Sequence, residues 1–174
     1  MLVQTINSLL TYLTLISHIF LVLALLLSIS KTGRTVIRGY IKKYGLKLAF
    51  GVSLVATLGS LFYSNVAGYN PCSLCWFQRI FMYPQVFLLG LALYKKEKVI
   101  IDYSLFLILI GGLISLYHNY IYYNAISTSF CASDEVAACA TRYIWELGYI
   151  TIPLMALSAF VLIGLLLWTQ KKLK

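Results

Sequence analysis

Cys72 and Cys75 stand in the run NPCSLCWFQRIFMYP with two residues between them, and Arg79 follows Cys75 by four positions. A second pair, Cys131 and Cys139, has seven residues between its members. Thiols at these spacings support three chemistries. They can staple loops as structural disulfides. They can hold zinc through four thiolates. They can also exchange electrons with another dithiol. Pro71 suits the position just before a helix, where no backbone donor is needed. Cys75 then falls in the first turn of that helix, where unpaired amides and the helix dipole favour a thiolate. Arg79, one turn on, shares its face and adds a permanent cation. A cation at membrane depth is costly and is more often functional than a snorkelling side chain.

The elements that must carry these residues are membrane helices. Of the 174 residues, 61% are hydrophobic and only 11% are charged, more apolar surface than a soluble domain of this size can bury. Five runs are long enough to cross a bilayer, which takes about 20 helical residues. They lie near Ser8–Ile29, Leu46–Ala67, Cys75–Tyr94, Tyr103–Tyr123 and Leu147–Thr169. Helices are expected because backbone groups in lipid must be satisfied within their own segment. The runs also lack the period of two that a membrane barrel requires. The expected fold is therefore an all-α integral membrane protein. The first run lacks a basic leader and is too long for a cleaved signal peptide, so a retained helix is expected.

The net charge of +9 does not indicate nucleic-acid binding, because the cations cluster between apolar runs. Twelve of the 14 lysines and arginines fall in three places. These are the stretch Lys31–Lys47, the group Lys95, Lys96 and Lys98, and the tail Lys171, Lys172 and Lys174. Five crossings put all three on one side. The positive-inside rule makes that side cytoplasmic, with the N-terminus and all four cysteines outside. Thiols meet an oxidising compartment there, where disulfides persist and free thiolate zinc sites are disfavoured. An activated sulfur at the edge of lipid suits a lipid-soluble two-electron acceptor, for which a quinone is the natural candidate. Trp76 reads either as an interfacial belt residue or as a ring contact for such an acceptor. His18, midway along the first run, reads as an interhelical packing residue rather than a proton relay. Gly111, Gly112 and Ser115 offer a small-residue packing face. Pro84 predicts a kink, and Ser133 reads as a cap for a short surface helix.

The run CSLCWFQRIFMYP resembles the signature of the DsbB-type disulfide bond formation proteins, in the BdbC-like branch. GGLISLYHNY, Gly111–Tyr120, and GYITIPLMALSAF, Gly148–Phe160, resemble that family's next and final helices, in the same order. The resemblance implies a four-helix transmembrane bundle over residues 46–174. Residues 1–45 would supply an additional N-terminal helix and a basic cytoplasmic loop, and the family offers no role for that helix. It further implies a Cys72–Cys75 disulfide and a Cys131–Cys139 disulfide, with Cys131 attacked by a reduced DsbA-like thioredoxin-fold partner. Cys139 would exchange with Cys72, and Cys75 would face ubiquinone or menaquinone beside Arg79 and His118. No metal is implied. Two alternatives stand beside this reading. One is a vitamin K epoxide reductase-like enzyme with the same chemistry. The other is a non-enzymatic membrane protein braced by structural disulfides.

Overall fold

A computed structural model describes residues 1–97, 99–124, 139 and 143–172. Five α-helices account for most of them: α1 (Leu2–Ile29), α2 (Lys31–Asn65), α3 (Ser73–Lys95), α4 (Val99–Asn124) and α5 (Ile152–Lys172). Among the described residues the sole extended pairing is a bridge between Glu146 and Ile150. Helices α2, α3, α4 and α5 form a ring in which each packs on the next and α5 closes on α2. Helix α1 lies outside the ring, against the seam between α2 and α5.

Four helices, α1, α2, α4 and α5, are long and apolar enough to span a membrane. The expectation of five spans is met by composition in these four, and α3 falls outside that standard. The reason lies in its own sequence. Gln78, Arg79 and Gln85 lower its hydropathy, yet two of them are buried inside the bundle. Gln85 accepts a hydrogen bond from Ser104 of α4 at 2.7 Å, and Gln78 meets His118 at 2.8 Å. Polar groups satisfied between helices are tolerated at membrane depth. Pro84 does not end the helix, which continues unbroken on both sides of it.

Helix boundaries also differ from the sequence expectation. The basic stretch 31–47, expected to be a connecting loop, is the first part of α2. Only Ser30 interrupts the helix between α1 and α2. At 1.5 Å per residue α2 is about 50 Å long, well beyond a hydrocarbon core of about 30 Å. Its cationic turns can therefore stay helical outside the lipid. A division at residue 45 consequently falls inside a continuous helix. Helix α5 begins at Ile152 and not at Leu147, because Leu147 and Gly148 both take positive φ in a preceding turn. Thr151 caps α5 by accepting a hydrogen bond from the Leu154 amide. The residues Lys98, Ser133, Arg142 and Lys174 lie outside the described residues.

The two ends of the ring are chemically distinct. At one end Lys171 of α5 pairs with Asp102 of α4 at 2.8 Å, and Gln170 donates to the carbonyl of Ile41 in α2. The cysteines occupy the opposite end, at the start of α3. Between them the apolar core is built on Leu89, Ile108, Phe160 and Ile163. Of the small-residue face expected on α4, Gly111 and Ser115 pack closely on α5 and Gly112 does not. A Cβ on Gly111 would come within 2.4 Å of the Phe160 ring, whereas one on Gly112 meets nothing nearer than 3.8 Å.

That difference yields a paired prediction. Gly111→Ala forces Phe160 or Phe81 to move and should cost about 1–3 kcal/mol, lowering the unfolding midpoint in detergent. Gly112→Ala should leave the midpoint nearly unchanged. Equal behaviour of the two variants would contradict the packing described.

Candidate functional site: a thiol cluster beside an apolar groove

The approach to α3 is set by a tight turn after α2. Gly68 takes φ +70, a value glycine adopts without strain. The Tyr69 amide donates back to the Tyr63 carbonyl at 2.9 Å, satisfying a carbonyl left free at the end of α2. Pro71 follows, and Cys72 is the N-cap of α3, its carbonyl accepting from the Trp76 amide. Cys75 thus sits in the first turn, as the sequence predicts.

The structure presents Cys72 and Cys75 as free thiols with sulfurs 3.2 Å apart. Cys72 is buried and Cys75 is partly buried. His118 of α4 reaches across to them. Its Nε2 lies 3.2 Å from the carbonyl oxygen of Cys139 and 3.8 Å from the Cys72 sulfur. A carbonyl only accepts, so Nε2 carries the proton. Nδ1 is then the acceptor, satisfied by the Gln78 amide at 2.8 Å. One N–H therefore faces both a backbone oxygen of the second cysteine pair and the sulfur of the first.

Cys139 is disulfide-bonded and packs in one buried cluster with Cys72, Leu74 and Ile121. Cys131 lies outside the described residues. The electrostatics favour Cys72 as the ionised sulfur. The hydrogen bond from Cys75 holds the Cys72 thiol well below its ordinary range, burial opposes this, and the His118 N–H adds to the lowering. The sequence reading placed the activated thiolate on Cys75. It missed that the N-cap cysteine collects two donors at once, one of them from a distant helix.

Two cavities meet at this cluster. A small one of about 60 Å³ is bounded by Cys72, Cys75, His118 and Cys139. A groove of about 650 Å³ runs along the bundle, mostly apolar, and includes Cys75 and Arg79 at its thiol end. Cys75, Arg79 and Tyr63 line both. The half-buried Arg79 donates to the Ser60 carbonyl at 3.3 Å and lies over the Trp76 ring at 5.1 Å. Trp76 itself is exposed and lines neither cavity. His118 lines the small cavity and not the groove. The structure thus brings Cys72, Cys75, Cys139, Arg79 and His118 together and leaves Trp76 on the outer surface.

Two contributors escaped the sequence analysis. Gln78 fixes the His118 tautomer, and the available signal was an amide side chain in an otherwise apolar helix. Tyr63 is 5% exposed, and its hydroxyl has no hydrogen-bond partner among the described residues. One of 14 tyrosines, it had no distinguishing neighbour in the chain. The sulfurs of Cys72 and Cys75 and a ring nitrogen of His118 lie within 4.8 Å of one another, so the cluster has metal-site compactness too. Geometry alone therefore leaves both exchange and ligation open.

His18 of α1 meets Ser158 of α5 at 2.7 Å and Tyr149 at 3.4 Å. Because Ser158 also donates to the Leu154 carbonyl, it accepts from His18. These contacts tie α1 to the ring, as a packing residue would.

Comparison with known proteins bears on the choice. The family model "Disulfide bond formation protein DsbB" matches residues 42–170. The chain is 45% identical over 123 residues to a "Probable disulfide formation protein C 1" of Bacillus anthracis, covering 71% of this chain and 88% of that one. It is 42% identical over 115 residues to "Disulfide bond formation protein C" of Bacillus subtilis strain 168, covering 64% and 81%. A third relative, the "SPbeta prophage-derived disulfide bond formation protein B" of the same strain, is 42% identical over 139 residues, covering 78% and 93%. No solved structure matches. With several long apolar helices around a cysteine cluster, this multi-pass membrane oxidoreductase of disulfide bond formation belongs to the DsbB family, in its BdbC-like branch.

Proposed function

We propose that the protein reoxidises a DsbA-like thioredoxin-fold dithiol oxidase outside the cytoplasm and passes the electrons to a membrane quinone. The observation that carries this reading is the position of Cys75. It touches the buried thiol cluster on one side and the apolar groove on the other. The orientation follows the basic residues: the cysteine end faces outward and the C-terminus is cytoplasmic. Helix α3 is the remaining crossing segment, its polar side chains shielded by the ring. Residues 46–174 form the DsbB-like part, with α1 and the basic start of α2 as an addition.

The exchange uses four sulfurs. A thiolate of the reduced partner attacks Cys131 in the Cys131–Cys139 disulfide and releases Cys139 as thiolate. Cys139 attacks Cys72 in the Cys72–Cys75 disulfide and releases Cys75. The partner's second thiol then displaces Cys131, so the partner leaves oxidised, two electrons poorer. A new Cys72–Cys139 bond and a sulfur at the mouth of the groove remain. The His118 N–H suits this order, since it faces the Cys139 backbone and the Cys72 sulfur together. Cys75 is the leaving sulfur in this step, and the charge of Arg79 is placed to stabilise it as thiolate.

The residues present fit a quinone. The groove falls within the range of about 300–1,000 Å³ usual for small-molecule sites. Tyr63, whose hydroxyl has no partner among the described residues, is part of its wall, and Arg79 supplies a fixed positive charge near Cys75. Tyr63, Arg79 and Cys75 would hold the ring. When bound, the quinone supplies a two-electron, two-proton acceptor. Arg79 stabilises negative charge developing beside it, and the apolar walls keep water from the sulfur.

Three outcomes check this reading. Partner-dependent quinone reduction by purified protein should vanish in Cys75→Ser; retained turnover would end the enzymatic assignment. Arg79→Ala should slow quinone use by about 10-fold or more, by analogy with other lost electrostatic contacts. Partner oxidation in a single turnover should stay near wild type, and equal loss in both half-reactions would contradict the role of Arg79. The third outcome concerns pH. A Cys72 thiol lowered below its ordinary range is already thiolate at neutral pH. Alkylation of Cys72 in the reduced protein should therefore be nearly flat from pH 6 to 8, whereas an ordinary thiol gains about tenfold per unit below its pKa of about 8.5. His118→Leu should restore part of that slope, and a steep wild-type profile would contradict the thiolate assignment.

A further inference from the structure

Helix α1 lies outside the residues matched by the family, yet it forms a wall of the groove that reaches Cys75. Leu10, Leu13, Thr14, Ser17 and Phe20 all line it. The facing surfaces of the ring are cut back by small residues: Gly51, Ala56 and Gly59 on α2, Ala156 and Ala159 on α5. Helix α1 does not fill the space they leave, since Thr11 and Thr14 are its only buried residues. It is held to its neighbours at separate points. Leu10 sits against Gly59, where a Cβ would come within 3.1 Å. His18 bonds Ser158, and Arg34 of α2 donates to the Ser28 carbonyl at the corner. Between these points α1 roofs the seam instead of packing into it.

The polarity of the groove is graded. Its thiol end has Tyr63, Ser60, Gln78, Arg79 and Tyr83, its middle is mostly apolar with Thr14, Ser17 and Ser158 interspersed, and Lys47 and Tyr40 line the far end. From Tyr63 the lining continues along α2 to Tyr40. The part between Tyr63 and Leu48 is about 22 Å of helix at 1.5 Å per residue, most of the depth of a hydrocarbon core of about 30 Å, with Lys47 and Tyr40 beyond it. A ligand with a polar ring and a long branched hydrocarbon tail matches a polar thiol end followed by a long, mostly apolar stretch.

Resting on the quinone reading above, we infer that α1 closes a channel for the polyprenyl tail of the quinone, so that this added helix is part of the ligand site and selects for tail length. The occupant is the tail of the molecule whose ring lies by Cys75, because the same continuous groove contains both ends. The alternative occupant, a phospholipid, would set its phosphate against Arg79 but brings no electron-accepting group for Cys75 to face.

The test uses the full chain in nanodiscs and two quinones with the same ring, one without a tail and one with a long polyprenyl tail bearing a diazirine. Photolysis should attach the tail to α1 within Leu10–Phe20, as located by peptide mass spectrometry. Leu13→Trp and Ser17→Trp should weaken binding of the long-tailed quinone by about tenfold or more, as expected when two or more methylenes lose their burial. Binding of the tail-less quinone should change by less than about twofold, a difference too small to reflect a lost buried group. Ile19→Trp, on an exposed face outside the groove, should alter neither. Equal weakening of both quinones, or tail attachment confined to other helices, would overturn the inference while leaving the quinone reading intact. So would a diazirine phospholipid that labels the same α1 residues and is not displaced by the long-tailed quinone. If wild-type protein binds neither quinone, the reading and the inference fall together.

Discussion

The thiol end of the bundle depends on one imidazole N–H. His118 stands on α4, the CxxC pair on α3 and Cys139 on the segment leading to α5, so no local sequence rule brings them together. The proton on Nε2 does so, meeting the Cys139 carbonyl and the Cys72 sulfur. Its direction is fixed by Gln78 on the opposite ring nitrogen. Without that amide the imidazole could present a lone pair to the sulfur, which would destabilise a thiolate. The ring closure of α2 to α5 provides the rigid frame, and the Tyr63–Tyr69 turn delivers Cys72 to the helix start.

The same bundle handles polar groups in two ways. Gln78, Gln85, Ser104 and His118 are buried and mutually satisfied, which gives α3 and α4 a defined register. Arg79 and Tyr63 border the groove instead; among the described residues Arg79 has one backbone partner and the Tyr63 hydroxyl has none. A buried donor without a partner costs stability, and such sites are where a ligand gains most from supplying the acceptor. The contrast separates the residues that build the frame from those available to a bound molecule.

Much of this was legible in the chain. The apolar runs gave membrane helices, and the CxxC spacing with Pro71 before it gave a helix start bearing thiols. Position i+4 correctly put Arg79 beside Cys75. What could not be read was whatever depends on pairing between distant segments. The Cys72 thiol is lowered chiefly by its neighbour Cys75, but the further lowering by His118, forty-six positions away, is invisible in the chain. Trp76, adjacent to Cys75 in sequence, turns outward because a helix rotates about 100° per residue. The helical character of residues 31–47 was hidden by their charge, since cationic turns beyond the lipid read as loop. The start of α5 was misplaced because two positive-φ residues, Leu147 and Gly148, interrupt an apolar run that hydropathy treats as continuous.

The central claim is that the Cys72–Cys75 dithiol gives its electrons to a lipid-soluble acceptor directly. The most direct measurement mixes fully reduced, partner-free protein with a stoichiometric quinone and counts thiols and quinone together. The account predicts that thiols disappear in pairs, two for each quinone reduced, with Cys75 among the residues oxidised. Thiols that persist while quinone remains oxidised, or quinone reduction without thiol loss, would contradict it.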